Sequence, residues 1–83
     1  MAYHVYILEW LDGLFYTGLT GNLEKRLTEH KEGRGGPITK NRRPVKLVYK
    51  EKLKTRKEAA KREKEIKGWR REKKIKLINS QKT

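Results

Sequence analysis

The stretch Tyr3-His4-Val5-Tyr6-Ile7-Leu8-Glu9-Trp10, then Leu11-Asp12-Gly13, then Leu14-Phe15-Tyr16-Thr17-Gly18 decides the fold of this chain. Two runs rich in aromatic and aliphatic residues, divided by an Asp-Gly turn signal, predict two antiparallel strands over 3–10 and 14–18. Two turns are compatible with the spacing. A two-residue Asp12-Gly13 turn pairs Trp10 with Phe15 and sends Tyr6 and Tyr16 to opposite faces. A three-residue Leu11-Asp12-Gly13 loop, a type I turn with Gly13 left-handed in a bulge, pairs Leu8 with Tyr16 and Tyr6 with Gly18, so both phenols share one face. The second arrangement is preferred.

Downstream, Asn22 is a helix N-cap, and a short helix is expected from Leu23 to about Glu32, ahead of Gly33. At about 100° per residue, with Arg26 at 0°, His30 falls near 40°, Leu23 near 60° and Leu27 near 100°. Arg26 and His30 therefore border the core-facing stripe. The segment 33–41, with three glycines and Pro37, reads as a loop, and 43–51 as a third strand. In that strand Val45, Leu47 and Tyr49 alternate on one face, with Lys46, Val48 and Lys50 on the other. Thr55 with Glu58 forms a capping box that starts a second helix, expected to end near Lys67 before Gly68. Around this helix Glu63 lies about 40° from Ala59 and 60° from Ile66, within the apolar arc. A carboxylate there needs a cation, a hydrogen-bond network or a metal as compensation. A third helix is expected from Trp69 to about Asn79.

Composition narrows the function classes. At 83 residues the chain makes one small domain, expected over 1–79, with 80–83 as a short polar tail. The expected class is α+β: a small three-stranded antiparallel sheet flanked by three helices. No cysteine is present, which excludes disulfides and thiolate zinc sites. No run approaches the roughly 18 apolar residues of a membrane span, so the expectation is a cytoplasmic protein with no membrane association. The formal net charge of +13 is unevenly spread: residues 1–39 hold four Lys/Arg against five Asp/Glu, and residues 40–83 hold nineteen against five. Such a polycationic half recruits polyanions, with nucleic acid as the favoured partner.

Taken singly, tyrosines on strands serve packing, an Arg/His pair at helical spacing lines a solvated face, and Glu63 with Lys67 makes an ordinary i,i+4 ion pair. Together they resemble the GIY-YIG nuclease superfamily: His4-Val5-Tyr6, Tyr16-Thr17-Gly18, Arg26, His30 and a helical Glu63. The segments Pro44-Val45-Lys46-Leu47-Val48-Tyr49 and Ile66-Lys67-Gly68-Trp69 look like its small single-domain bacterial branch. His4 stands where the family motif has its first glycine, and Thr17 stands at the middle of the second motif.

The resemblance implies a divalent-metal endonuclease that hydrolyses nucleic acid, with DNA the expected substrate, by in-line attack without a covalent enzyme intermediate. By the same likeness Tyr6 is the general base or the positioner of the attacking water, Tyr16 lines the pocket and bonds the phosphate, and Arg26 stabilises phosphate charge. His30 bonds a tyrosine or the phosphate and relays a proton, and Glu63 holds a single Mg²⁺ or Mn²⁺. A phenol acts as a base only where its pKa is brought down from about 10. Lys40, Arg42 and Arg43 are the expected nucleic-acid contacts, targeting through a protein partner is a further expectation, and Asn79 resembles a late asparagine that supports the site in some members. Two other classes stay open, a catalytically idle nucleic-acid-binding module and a charge-mediated protein-interaction domain.

Overall fold

Residues 2–10, 13–31 and 45–81 are described by the structure, a computed structural model, with the side chains of His30, Lys31 and Val45 outside the description. Strand β1 spans Tyr3–Trp10, β2 Phe15–Thr20 and β3 Val45–Leu53; helix α1 spans Leu23–Lys31, α2 Arg56–Lys67 and α3 Arg71–Ser80. The strands form one antiparallel sheet in the order β2-β1-β3. This is the expected three-stranded sheet with three helices.

The first turn resolves as the three-residue loop. Trp10 N donates to Leu14 O at 2.9 Å, Gly13 N donates to Trp10 O at 2.9 Å, and Gly13 takes φ +84°, a region open to glycine because it lacks a Cβ. The resulting register places Leu8 opposite Tyr16 and Tyr6 opposite Gly18. Because side chains alternate along a strand, the sheet has two distinct faces. One carries Val5, Ile7 and Tyr49, which join Ala59 and Ile66 of α2 and Ile78 of α3 in the larger core. The other carries Tyr6, Leu8 and Trp10, covered by Leu23 and Leu27 of α1. Val5, Ile7, Leu8 and Ile66 are fully buried, each contributing roughly 1.5–3 kcal/mol through apolar surface removed from water.

Strand β3 departs from the expected alternation. A bulge interrupts its pairing with β1, so that Ile7 faces Tyr49 while Leu8 faces Leu47, leaving Val48 as the extra residue. One inserted residue flips every side chain beyond it to the other face. Leu47 therefore joins the Tyr6 cluster while Tyr49 and Val48 pack with Val5 and Ile7. Lys46 and Lys50, expected on one face, are separated by the same step.

Local signals set the helix ends. Asn22 Oδ1 accepts from Lys25 N at 3.1 Å, and Thr55 Oγ1 accepts from Glu58 N at 3.1 Å, so both expected N-caps are made. Helix α3 starts two residues later than expected and takes in Ser80. Gln81 then docks on the edge of β3: its Oε1 accepts from Lys50 N at 3.3 Å and its Nε2 donates to Lys50 O at 2.6 Å. Ser80 and Gln81 thus belong to the folded body rather than to a tail, because the free edge of β3 offers an unpaired donor and acceptor that the amide satisfies. Among the described residues, no helix is long and apolar enough to cross a membrane.

Candidate active site

Three side chains, Tyr6, Tyr16 and Arg26, meet at the β2 side of the sheet, and the charge of a fourth, Glu63, reaches the first of them. Tyr6 and Tyr16 share a face, with ring centroids 6.4 Å apart and planes tilted by 45°, and Trp10 lies 6.1 Å from Tyr16 on the other side. The Tyr6 ring can lie across β2 because residue 18 is glycine. A β-carbon at Gly18 would stand 2.6 Å from the Tyr6 hydroxyl and 2.7 Å from its Cζ, closer than such contacts occur. Leu23 and Leu27 seat α1 against this cluster, and that seating presents Arg26, one turn after Leu23, to the phenols.

Arg26 hydrogen-bonds both Tyr6 and Tyr16, and its pKa is raised chiefly by the bond to Tyr6. The guanidinium also approaches Glu29, with Nη1 to Oε1 at 3.7 Å, and its side chain keeps 32% exposure, so an anion arriving from solvent can reach it. Burial pushes the Tyr6 phenol above its ordinary 10.0; the hydrogen bond from Arg26 opposes this, while Tyr16 and the charge of Glu63 add to the rise. Desolvation outweighs the cation. The lowered phenol pKa that a general base needs is therefore not produced by Arg26, and Tyr6 stays protonated at neutral pH.

Glu63 lies on α2, close enough for its charge to act on Tyr6. It is not at the buried centre of the helix's apolar arc: Ala59 and Ile66 are fully buried, whereas the Glu63 side chain retains 22% exposure. Its compensation is Lys67, whose Nζ lies 3.7 Å from Glu63 Oε2 one turn on. An i,i+4 pair of this kind contributes about 0.3–0.5 kcal/mol. It leaves the carboxylate accessible to a cation. No group of three or more His, Cys, Asp or Glu gathers among the described residues. The donor set is one hard oxygen ligand open to water, which fits a Mg²⁺-type ion that keeps most of its hydration and does not fit a preformed cage.

The remaining expected residues fall as follows. His30 stands one turn after Arg26 on α1, with its side chain outside the described residues. Lys40, Arg42 and Arg43 also lie outside them. Asn79 lines a cleft of about 230 Å³ with Glu9, Phe15, Lys46 and Arg71, on the sheet face opposite the tyrosines, so it does not support their pocket. His4 occupies a regular ladder position between Thr20 and Lys52 and leaves the backbone around Tyr6 undisturbed. The role of Gly18 as the floor under Tyr6 was missed; its signal was a glycine placed in register opposite the first tyrosine.

A β-hairpin bearing two tyrosines, an arginine from the next helix and a carboxylate from a later one define a class of domain. The chain matches the model of the GIY-YIG catalytic domain over residues 2–76, and it belongs to that family. Within it the chain is similar to UPF0213 proteins: one from Staphylococcus saprophyticus is 49% identical over 77 residues, covering 93% of this chain and 94% of the relative. One from Staphylococcus haemolyticus is 48% identical over 79 residues, covering 94% and 96%. Among solved structures, the solution NMR structure of a UPF0213 protein from Bacillus halodurans superposes with a TM-score of 0.65 at 37% identity, covering 98% of this chain and 86% of that one. A solution NMR structure of an E. faecalis protein gives 0.67 at 37% identity, covering 96% and 85%.

Proposed function

We propose that this chain is an endonuclease that hydrolyses DNA phosphodiester bonds. The observation that carries the reading is the bridging of Tyr6 and Tyr16 by Arg26, with a partly exposed carboxylate on a separate helix whose charge reaches Tyr6. Arg26 supplies fixed positive charge where negative charge develops on the phosphate, the kind of preorganised donor whose removal costs about 10²–10³ in rate. Tyr6, protonated and held by Arg26, orients the attacking water through its hydroxyl oxygen instead of removing its proton. Tyr16 bonds a non-bridging phosphate oxygen from the same wall. In this reading His30, on the same helix as Arg26, relays the proton that the attacking water gives up to the leaving oxygen. Water attacks phosphorus in line, and the bond to the leaving oxygen breaks in the same step. A single Mg²⁺ or Mn²⁺ on Glu63, when bound, supplies Lewis-acid charge to the phosphate.

The test is cleavage of labelled duplex, nicked, flap and branched DNAs with Mg²⁺ or Mn²⁺, with the wild type beside Glu63→Gln. Metal-dependent cutting by the wild type alone is the expected result. Binding without cutting by both proteins overturns the reading in favour of an idle binding module, and retained cutting by Glu63→Gln removes the metal assignment.

A further inference from the structure

We propose that Lys50 and Lys52, on the tyrosine face of β3, form a phosphate track that leads a nucleic-acid backbone to the Tyr6 pocket. The inference rests on the nuclease reading and adds the contacts that deliver the substrate. The bulge in β3 makes it visible: beyond that step, Lys50 stands directly opposite Tyr6 and Lys52 opposite His4. Across the sheet the tyrosine face thus reads Gly18, Tyr6, Lys50 in one row and Thr20, His4, Lys52 in the next. Neighbouring strands lie about 4.8 Å apart, so Lys50 is rooted one strand from the Tyr6 backbone and two from Gly18, over which the phenol hydroxyl lies. The two lysines are two residues apart, about 6.8 Å along the strand, which equals the axial rise of two nucleotides in one DNA strand.

Availability separates these two cations from the engaged ones on the other face. Arg62 is bonded to Glu51 at 2.9 Å and to Glu65 at 2.7 Å. Arg71 donates to the Gly13 carbonyl and lies 4.5 Å above the Phe15 ring, and Lys73 sits 4.3 Å over Trp69. These charges serve the fold. Lys50 and Lys52 are exposed and make no ion pair among the described residues. Helix α1 packs Leu23 and Leu27 over Tyr6, Leu8 and Trp10, with Leu47 of β3 in the same cluster, while Lys50 and Lys52 stay exposed. The Gln81 amide pins the Lys50 backbone, so the root of that side chain is fixed. Exposed ammonium groups in a fixed row, ending at an arginine-tyrosine pocket, match the repeating anion of a nucleic-acid backbone.

The test is fluorescence anisotropy of labelled DNA duplexes of two unrelated sequences, in chelator, across a salt series. Wild type, Lys50→Ala/Lys52→Ala and, as control, Lys73→Ala/Lys76→Ala on the outer face of α3 are compared. The expected result is that the β3 pair weakens binding equally for both sequences and lowers the slope of log K against log salt by about 1 per lysine, with the thermal midpoint unchanged. If the double variant melts early, Lys50→Gln and Lys52→Gln are read singly for a slope loss of about 1 each. An unchanged slope, with the loss appearing in the α3 control, overturns the track even if the wild type cuts DNA. The expected slope loss with no cutting in any metal leaves the track standing and removes the nuclease reading. Binding to polyglutamate but to no DNA overturns both in favour of an acidic protein partner.

Discussion

Gly18 lies opposite Tyr6 in the β1–β2 ladder, and the missing β-carbon at Gly18 is the space that the Tyr6 ring occupies. The glycine is thus part of the pocket's shape: the phenol reaches Arg26 and the field of Glu63 because nothing stands between the two strands at that point. Gly18→Ala should push the ring aside at a cost of about 1–3 kcal/mol, as overpacking does, and should remove cleavage from protein that still folds. A thermal melt paired with a cleavage assay checks this; an alanine variant with full activity would show that the ring position is not needed.

Arg26→Lys keeps the charge but loses the planar fork that serves two hydroxyls. The expected outcome is a fall in kcat/KM of about 10² or more with stability changed by less than about 1 kcal/mol, since the side chain is a third exposed. Steady-state kinetics beside a denaturant titration separate the two effects. Equal losses in rate and stability would place Arg26 in the fold instead of the chemistry.

Burial holds Tyr6 and Tyr49 above the ordinary phenol range. A raised folded-state pKa means that the stability linked to each proton is fully present below pH about 10 and is lost as pH rises through the folded value. Absorbance titration of the phenols should show a late component that shrinks in Tyr6→Phe and again in Tyr49→Phe. Because Tyr6 remains protonated, the rate should show no rising limb from its ionisation between pH 6 and 9. A Tyr6-dependent rising limb in that interval would restore the general-base role.

Thr17 is the departure at the middle of the second motif, and its hydroxyl is buried with no hydrogen-bond partner among the described residues. An unmet buried hydroxyl costs roughly 1–3 kcal/mol. Thr17→Val, which keeps the shape, should therefore stabilise the protein by about 1 kcal/mol and raise Tm by about 4–8 °C, with cleavage unchanged. A lower Tm would mean that the hydroxyl is bonded in solution.

Removing the Gln81 amide should expose the edge of β3. Gln81→Ala is expected to speed hydrogen exchange at the Lys50 amide while leaving the Tyr6 and Ile7 amides of the central strand protected. Unchanged exchange at Lys50 would show that the amide bonds are not held in solution.

Much of the fold was legible because its signals are local. The Tyr3–Trp10 strand, the Asn22 and Thr55 caps and the end of α2 at Lys67 follow from alternation, side-chain capping and a following glycine, each acting within a few residues. The faces of β3 were not legible: Leu47 and Tyr49 alternate as if they shared one face, and the bulge that separates them arises where β3 meets β1, a segment about forty residues away in the chain. Of the site, helical spacing put Arg26 beside the core-facing stripe, while the hairpin spacing left two turns open and the packed strands chose the one that puts Tyr6 and Tyr16 on one face. The partial exposure of Glu63 was not legible, because a helical wheel gives direction around an axis and not the distance from that axis to the sheet.

The chain by itself thus determined the order of elements and the cationic second half and narrowed the hairpin to two turns, since turn chemistry, periodicity and charge are written in neighbouring residues; the register of the packed strands put the two tyrosines on one face. Only the tertiary structure decided that burial outweighs Arg26 at the Tyr6 phenol, that Lys67 accompanies Glu63, and that Lys50 and not Lys46 stands beside Tyr6. Those outcomes depend on how much water is removed and on which strands meet, quantities fixed when distant segments pack together.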